Sequence, residues 1–380
     1  MRILTWHVHA AWSTAFVSGG HEYLVPVLPD RGPYGRGRPR TYPWPASARE
    51  VTPEQLRHEH VDVAVLQRPE EEELVQAWLG RRVPLIYVEH NTPRGDVPNT
   101  RHPLADRDDV TIVHVTHFND LFWDCGATRT TVIEHGVPTP TARWTGEQPR
   151  LAVVSNEPIR RGRVTGTDLL PRFAAVAPVD IFGIGVSGLR LANVTPHEDP
   201  PQPQMHAAVA KRRVYLHLTR WTSLGLSLIE AMLMGCPVVV LDTTEASRAV
   251  GPGAGVLSTN VAELIEGARH FLTDERAAAE AGAAAAAYAS ARYGLDRFLA
   301  DWDRLLWSVV DTAPAEPPIP AEIAASASTT PASATTTPAS AEATSAAPTG
   351  ATTRAAGAPA VAVGEKAATA VAPSGTGVAP

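Results

Sequence analysis

Lysine is almost absent from this chain: only Lys211 and Lys366 occur, so arginine carries nearly all of the positive charge. With abundant Ala and Pro, this reads as the coding bias of a GC-rich bacterial genome and says nothing about chemistry. The net charge is −7, which leaves no basic footprint for nucleic acid. Cys125 and Cys236 are the only cysteines. They form no C-x-x-C pair and no disulfide framework, and are read as buried apolar residues. No apolar stretch reaches the ~18 residues of a membrane-spanning helix, because Glu230 and Pro237 interrupt the longest candidate. The apolar run after Met1 is too short for a signal peptide. The expected location is therefore cytoplasmic and reducing, with peripheral contact at the inner face of the plasma membrane still open.

What is present is an alternation that runs twice. At 380 residues, 44% of them apolar, the chain exceeds the size at which one core usually stops growing. Strands are expected at Ile3–Val8, Glu22–Leu28, Val61–Leu66, Val83–Val88, Val110–Val115 and Thr131–Glu134. Helices are expected at Trp12–Val17, from Glu70 onward, and at Asn119–Cys125. Thr139–Pro149 is polar and proline-bearing, which suits a linker. The pattern then restarts, with strands at Leu151–Val154, Val179–Gly183, Val214–Leu218, Val238–Leu241 and Gly255–Leu257. Helices are expected at Asp168–Val176, Met205–Ala210, Leu224–Met234, Val261–Leu272 and Glu275–Ser290, and Pro196–Pro203 reads as loop.

Such an order implies an α/β chain of two doubly wound, Rossmann-like domains with parallel sheets. The expected divisions are 1–140, 150–294, a closing helix at 295–312 with Trp302 and Trp307, and a disordered tail at 313–380. The tail is rich in Ala, Pro, Thr and Ser and cannot bury enough surface to offset chain entropy. Ligands of these sheets bind beyond the C-terminal ends of strands, so the loops after His7, Val88 and Leu218 are the places to look. Pro29–Pro45 is a further long loop.

The densest signal runs from Tyr215 to Leu241. Thr219–Ser223 is a loop with hydroxyls and one guanidinium, and Leu224–Met234 is apolar except at Ser227 and Glu230. Gly235 and Pro237 stop that helix. Glu230 thus sits early in a mostly buried helix, where a carboxylate is costly unless something bonds to it. The plain alternative to a ligand is a structural bond to a helix N-terminus.

This order of motifs resembles the GT-B glycosyltransferases, and within them the retaining family 4 group (glycosyl transferases group 1). The resemblance spans about Met1 to Val310. The family carries a Glu, then Phe-Gly-Leu, a second Glu, Ala-Met, Gly and Pro-Val. Leu224-Gly225-Leu226, Glu230-Ala231-Met232, Gly235 and Pro237-Val238 match, while Thr222 stands where the first Glu belongs. The resemblance implies two Rossmann-like domains facing across a cleft, the acceptor side first and the nucleotide-sugar donor side second, with Leu295–Val310 crossing back. It implies that Glu230 binds the nucleotide ribose hydroxyls. Gly225 and Leu226 would open a helix end on the diphosphate, and Thr222 would take the place of a sugar-contacting carboxylate. Ser155–Gly162 falls where the family has two cations for the leaving diphosphate. Asn156 replaces one of them, so Arg160, Arg161 or Arg163 would supply the charge. His90 matches a family histidine at the acceptor side. Val132–Val137 resembles the interdomain connection, and Thr243-Thr244-Glu245 loosely matches a Gly-Gly-x-x-Glu loop.

The implied activity is transfer of a hexosyl group, with retention, from a UDP- or GDP-linked sugar. The acceptor would be a cell-wall, surface-glycan or small-molecule acceptor, either carbohydrate or lipid-linked, as in cell wall or polysaccharide biosynthesis. The leaving phosphate helps deprotonate the acceptor, so the protein positions groups and stabilises charge. No metal or other cofactor is expected, and no Asp-x-Asp pair follows a strand. Two readings compete. Thr222 and Asn156 could mark a sugar-nucleotide-binding protein with little or no turnover. His7 and His9 form a His-x-His with both imidazoles on one strand face, as in metal-dependent (β/α)8 hydrolases. In the transferase reading one of the pair lines the acceptor side of the cleft.

Overall fold

The structure is a computed structural model that describes residues 1–39 and 42–312. The expected tail at 313–380 lies outside the described residues. The chain first lays down β1 (Arg2–Thr5), α1 (Ala10–Phe16), β2 (Glu22–Pro26), β3 (Ala48–Val51), α2 (Pro53–Leu56) and β4 (Val63–Leu66). Next come α3 (Glu71–Leu79), β5 (Leu85–Glu89), β6 (Val110–His114), α4 (His117–Phe122) and β7 (Arg129–Val132). These seven strands pair in parallel in the order β3-β2-β1-β4-β5-β6-β7.

The second series is β8 (Gln148–Val154), α5 (Pro158–Arg161), α6 (Leu170–Ala174), β9 (Val179–Gly183), β10 (Val194–Glu198), α7 (Gln202–Lys211) and β11 (Arg212–His217). It continues through α8 (Leu226–Met234), β12 (Val238–Leu241), α9 (Ala246–Ala249), β13 (Gly255–Ser258), α10 (Val261–Thr273) and α11 (Glu275–Tyr293), and ends with α12 (Leu295–Thr312). Its parallel sheet has the order β10-β9-β8-β11-β12-β13. Chain order reverses at β1/β4 in one sheet and at β8/β11 in the other. Each reversal opens a crevice at the C-terminal strand ends.

Central strands are apolar on both faces because helices cover both sides of a parallel sheet. Val63–Leu66 and Val238–Leu241 are buried at every position. The edges follow another rule. Pro196–Pro203 is expected to be loop, yet Val194–Glu198 is a strand with Pro196 opposite Ile181. An edge strand can turn the missing proline donor away from its neighbour. Polar side chains hold this strand: His197 Nε2 is 2.9 Å from Asp180 Oδ1, and its ring stacks on Phe182 with centroids 4.5 Å apart. Ala48–Val51, the opposite sheet's edge, was not expected as a strand at all. The expected helix Asp168–Val176 is shorter than expected, with 3-10 turns at Gly162–Thr165 and Thr167–Leu169 leading into α6.

The last helix packs on the first sheet. Phe298, Trp302, Leu306 and Val309 recur at helical spacing and share one cluster with Ile3, Trp12, Phe16 and Val113. Trp302 meets Phe16 and Trp12 edge-on, with centroids 4.8 and 5.7 Å apart. Beside it, the segment after β7 runs against the start of α12. Val137 bridges Gly294, and Arg297 donates to the carbonyls of Glu134 (2.9 Å) and His135 (2.6 Å). Any side chain at Gly136 would collide with Phe298. Both chain connections between the sheets are thereby side by side.

If α12 completes the first core, Trp302→Ala should cost about 3–5 kcal/mol in urea unfolding. A loss below about 1 kcal/mol would contradict that packing.

Candidate functional site

The site grows from the end of β11. Gly225 precedes α8, and a Cβ there would lie 2.6 Å from His217 Cε1, so no side chain fits. Burial pushes His217 down to about 4, which leaves a neutral imidazole under the helix start. The first turn of α8 offers backbone N–H groups and the positive end of the helix dipole. Gly235, at φ 87°, ends the helix in the left-handed conformation that glycine tolerates.

Glu230 lies just over one turn into α8 and is 7% exposed. Its partners come from α7. Gln202 Nε2 donates to Oε1 at 2.9 Å, and His206 Nε2 stands 3.2 Å from Oε2. The His206 contact is close but off the hydrogen-bonding line. The buried carboxylate therefore has a partner within the chain, and it is a glutamine amide rather than a helix N-terminus. Glu230, Gln202 and Leu226 face Thr14 and Tyr42 of the first sheet's layers across a cavity of about 190 Å3. Burial first, and then the negative charge of Glu230, push the Tyr42 phenol up.

Across the cleft, His9 and His90 come together with ring centroids 4.1 Å apart. Trp12 meets His90 edge-on at 5.0 Å. Burial, then the nearness of His9 and His135, hold His90 well below its ordinary value. Its Nε2 is buried without a hydrogen-bond partner among the described residues. His135 joins this group: burial, with His9 and Arg297, pushes it down to about 3, and neither ring nitrogen has such a partner. Sequence reading assigned His135 no role. Its only signal was the stretch Val132–Val137, which resembles an interdomain connection. His7 stands apart, with Nδ1 3.1 Å from the Gly37 carbonyl and its ring edge-on to Trp44. Among the described residues no three His, Cys, Asp or Glu side chains are placed to hold a metal ion, so His7 and His9 find no third ligand there.

Thr222 is half-buried in the loop between β11 and α8. The arginine turn lies beside that loop: Arg220 N donates to Val164 O at 2.8 Å, and a Cβ on Gly166 would collide with the Leu218 carbonyl. Arg160 is 3.4 Å from Glu157, and Arg163 is 3.2 Å from Asp168. Both pairs are exposed and worth little, so either cation can turn to an anion. Arg161 occupies the same turn. Asn156 is a backbone brace instead, its Oδ1 accepting from Ile184 N at 3.0 Å. Sequence reading left Arg220 without a role. It grips Asp168 through both terminal nitrogens, at 2.6 and 3.0 Å. Gln202 and His206 were also missed, although Pro203 in the first turn of α7 is a helix-start signal.

Residues 192–288, which contain α8 and Glu230, match the family model described as Glycosyl transferases group 1. No curated protein matches the chain. Among solved structures, sucrose-phosphate synthase from Thermosynechococcus elongatus is similar over 82% of this chain and 100% of its own, at 12% identity and a TM-score of 0.63. Anabaena HepE, solved in complex with UDP, is similar over 81% of this chain and 100% of its own, at 16% identity and a TM-score of 0.61. AviGT4, a glycosyltransferase involved in avilamycin A biosynthesis, is similar over 82% of this chain and 99% of its own, at 15% identity and a TM-score of 0.54. At such identities the likeness is one of fold: the chain has the two-sheet α/β architecture of GT-B glycosyltransferases, as the sequence led us to expect.

The neutral imidazole beneath Gly225 has a measurable consequence. His217 titrates at about 4 in the fold, against 6.5 ordinarily. Between those values the unfolded chain binds a proton that the fold does not, so stability falls as pH drops through that window. His217→Asn should flatten the fall in unfolding midpoint between pH 6.5 and 4.5. Parallel curves for variant and wild type would contradict the burial.

Proposed function

We propose that the chain is a glycosyltransferase that moves a hexosyl group, with retention, from a UDP- or GDP-linked sugar to a carbohydrate or lipid-linked acceptor. The observation that carries the reading is Glu230. It is a buried carboxylate facing the cleft, just past a helix start stripped of side chain at Gly225. Ribose hydroxyls are donors, and they would take the place of the Gln202 amide on Glu230. The diphosphate would then meet the N–H groups of Gly225 and Leu226 and the positive helix end. Arg160 and Arg163, each paired with an exposed carboxylate, and Arg161 in the same turn are the cations we assign to the leaving group.

In the reaction the bond between the anomeric carbon and the phosphate oxygen breaks. The acceptor oxygen bonds the same face, and its proton passes to the departing phosphate. The protein's part is position and charge. His90, kept neutral by burial and with no partner for Nε2 among the described residues, can bond a hydroxyl without adding charge. Thr222 can bond a sugar hydroxyl but supplies no carboxylate there. His9, exposed and with its ring against His90, is the histidine we assign to the acceptor side. We place the activity in cell-wall or surface-glycan synthesis at the cytoplasmic membrane face. Among the described residues no helix is long and apolar enough to cross a membrane.

Glu230→Ala should weaken UDP or GDP binding by about tenfold or more in calorimetry, or ~1.4 kcal/mol. Unchanged binding would sink the donor-site assignment. Treatment with EDTA should leave sugar transfer intact. Hydrolysis without transfer, lost with EDTA and restored by zinc, would favour the hydrolase reading of His7 and His9.

A further inference from the structure

The two sides of the cleft are tied together by side chains that flank Thr222. Ser223 Oγ donates to the His90 carbonyl at 2.8 Å, and Trp221 Nε1 donates to the Pro93 carbonyl at 3.0 Å. Both donors belong to the loop that leads into α8. Both acceptors belong to the loop after β5, on the other sheet. Ser223 is 7% exposed, so its hydrogen bond is shielded from water. The Trp221 ring stands edge-on to Phe118 and Phe122 of α4, at 5.5 and 6.3 Å.

Each end of this clasp is braced in turn. Behind the Thr222 loop, Thr243 Oγ1 donates to the Thr219 carbonyl at 2.7 Å. Glu245, nearly fully buried, accepts from Phe118 N at 2.7 Å and pairs with Arg248 at 3.1 Å. Behind His90, Glu89 Oε1 accepts from Asn91 N at 2.6 Å. Its Oε2 lies 3.1 Å from His102 Nε2. His102 Nδ1 accepts from Leu104 N, so the proton is on Nε2 and points at Glu89.

We infer that Ser223 and Trp221 are positioning residues, which lock the loop carrying Thr222 to the backbone of His90 and Pro93 so that occupancy of the α8 helix start is transmitted to the acceptor face. The inference rests on the donor reading of Glu230 and Gly225. Thr222 is anchored on both sides and cannot shift unless the His90–Pro93 loop shifts with it. A nucleotide that draws on the α8 amides pulls the same loop. Neither side chain is needed for the nucleotide contacts themselves, so binding and coupling are separable.

The test uses the full chain, with UDP and GDP as probes, in wild type, Ser223→Ala, Trp221→Phe and the double variant. Calorimetry reads affinity, and hydrogen–deuterium exchange reads the segments 86–95 and 219–226. In wild type, nucleotide should slow exchange in 86–95 as well as in 219–226. In the double variant affinity should stay within about threefold, while protection of 86–95 is lost. Protection retained at 86–95, or affinity lost in step with it, overturns the positioning role. If wild type binds neither nucleotide, the donor reading fails, and exchange without ligand decides the clasp. Faster exchange of both segments in the double variant supports the clasp, and unchanged exchange refutes it.

Discussion

A carboxylate buried on an apolar helix is the constraint from which the rest follows. Glu230 cannot be left unpaired, since desolvating an ion without a partner costs several kcal/mol. The fold answers with Gln202, delivered by α7, and sets His206 beside it. That answer fixes α7 against α8, and both helices against the cleft. It also leaves the carboxylate bonded by one amide donor that a hydroxyl can replace. A group satisfied by an exchangeable partner is stable without ligand and competent to bind one.

The same economy appears on the opposing face. His90 and His135 are buried with ring nitrogens that have no partner among the described residues. Buried polar atoms are rarely left this way, and each such case calls for a reason. A neutral imidazole can bond a hydroxyl, the chief chemical feature of sugars, if substrate binding opens a path to it. The carboxylate side and the imidazole side would then recognise different parts of one donor–acceptor pair. The Ser223 and Trp221 bonds join the two sides.

Much of this was legible in the sequence, and the gaps have a common physical cause. Val63–Leu66, Val110–His114 and Val238–Leu241 are central parallel strands, so both faces are buried and an apolar run marks them. Ala48–Val51 and Val194–Glu198 are the edges of their sheets, where one side meets solvent and the run disappears. Glu230 drew attention because a charge stands out in an apolar helix, and Gly225 because Leu224-Gly225-Leu226 resembles a known family motif. Gln202, Ser223 and Trp221 were not, because their roles depend on partners far along the chain. Gln202 meets a residue 28 positions on, and Ser223 meets one 133 positions back. Spacing patterns carry no information about such pairs.

The central claim is that Glu230 and the start of α8 form one nucleotide site. A crystal structure of the full chain grown with UDP or GDP tests it most directly. The account predicts ribose hydroxyls within hydrogen-bonding distance of the Glu230 carboxylate, the Gln202 amide displaced from Oε1, and the diphosphate against the Gly225 and Leu226 N–H groups. Nucleotide bound elsewhere, with the Gln202–Glu230 bond intact, would contradict it.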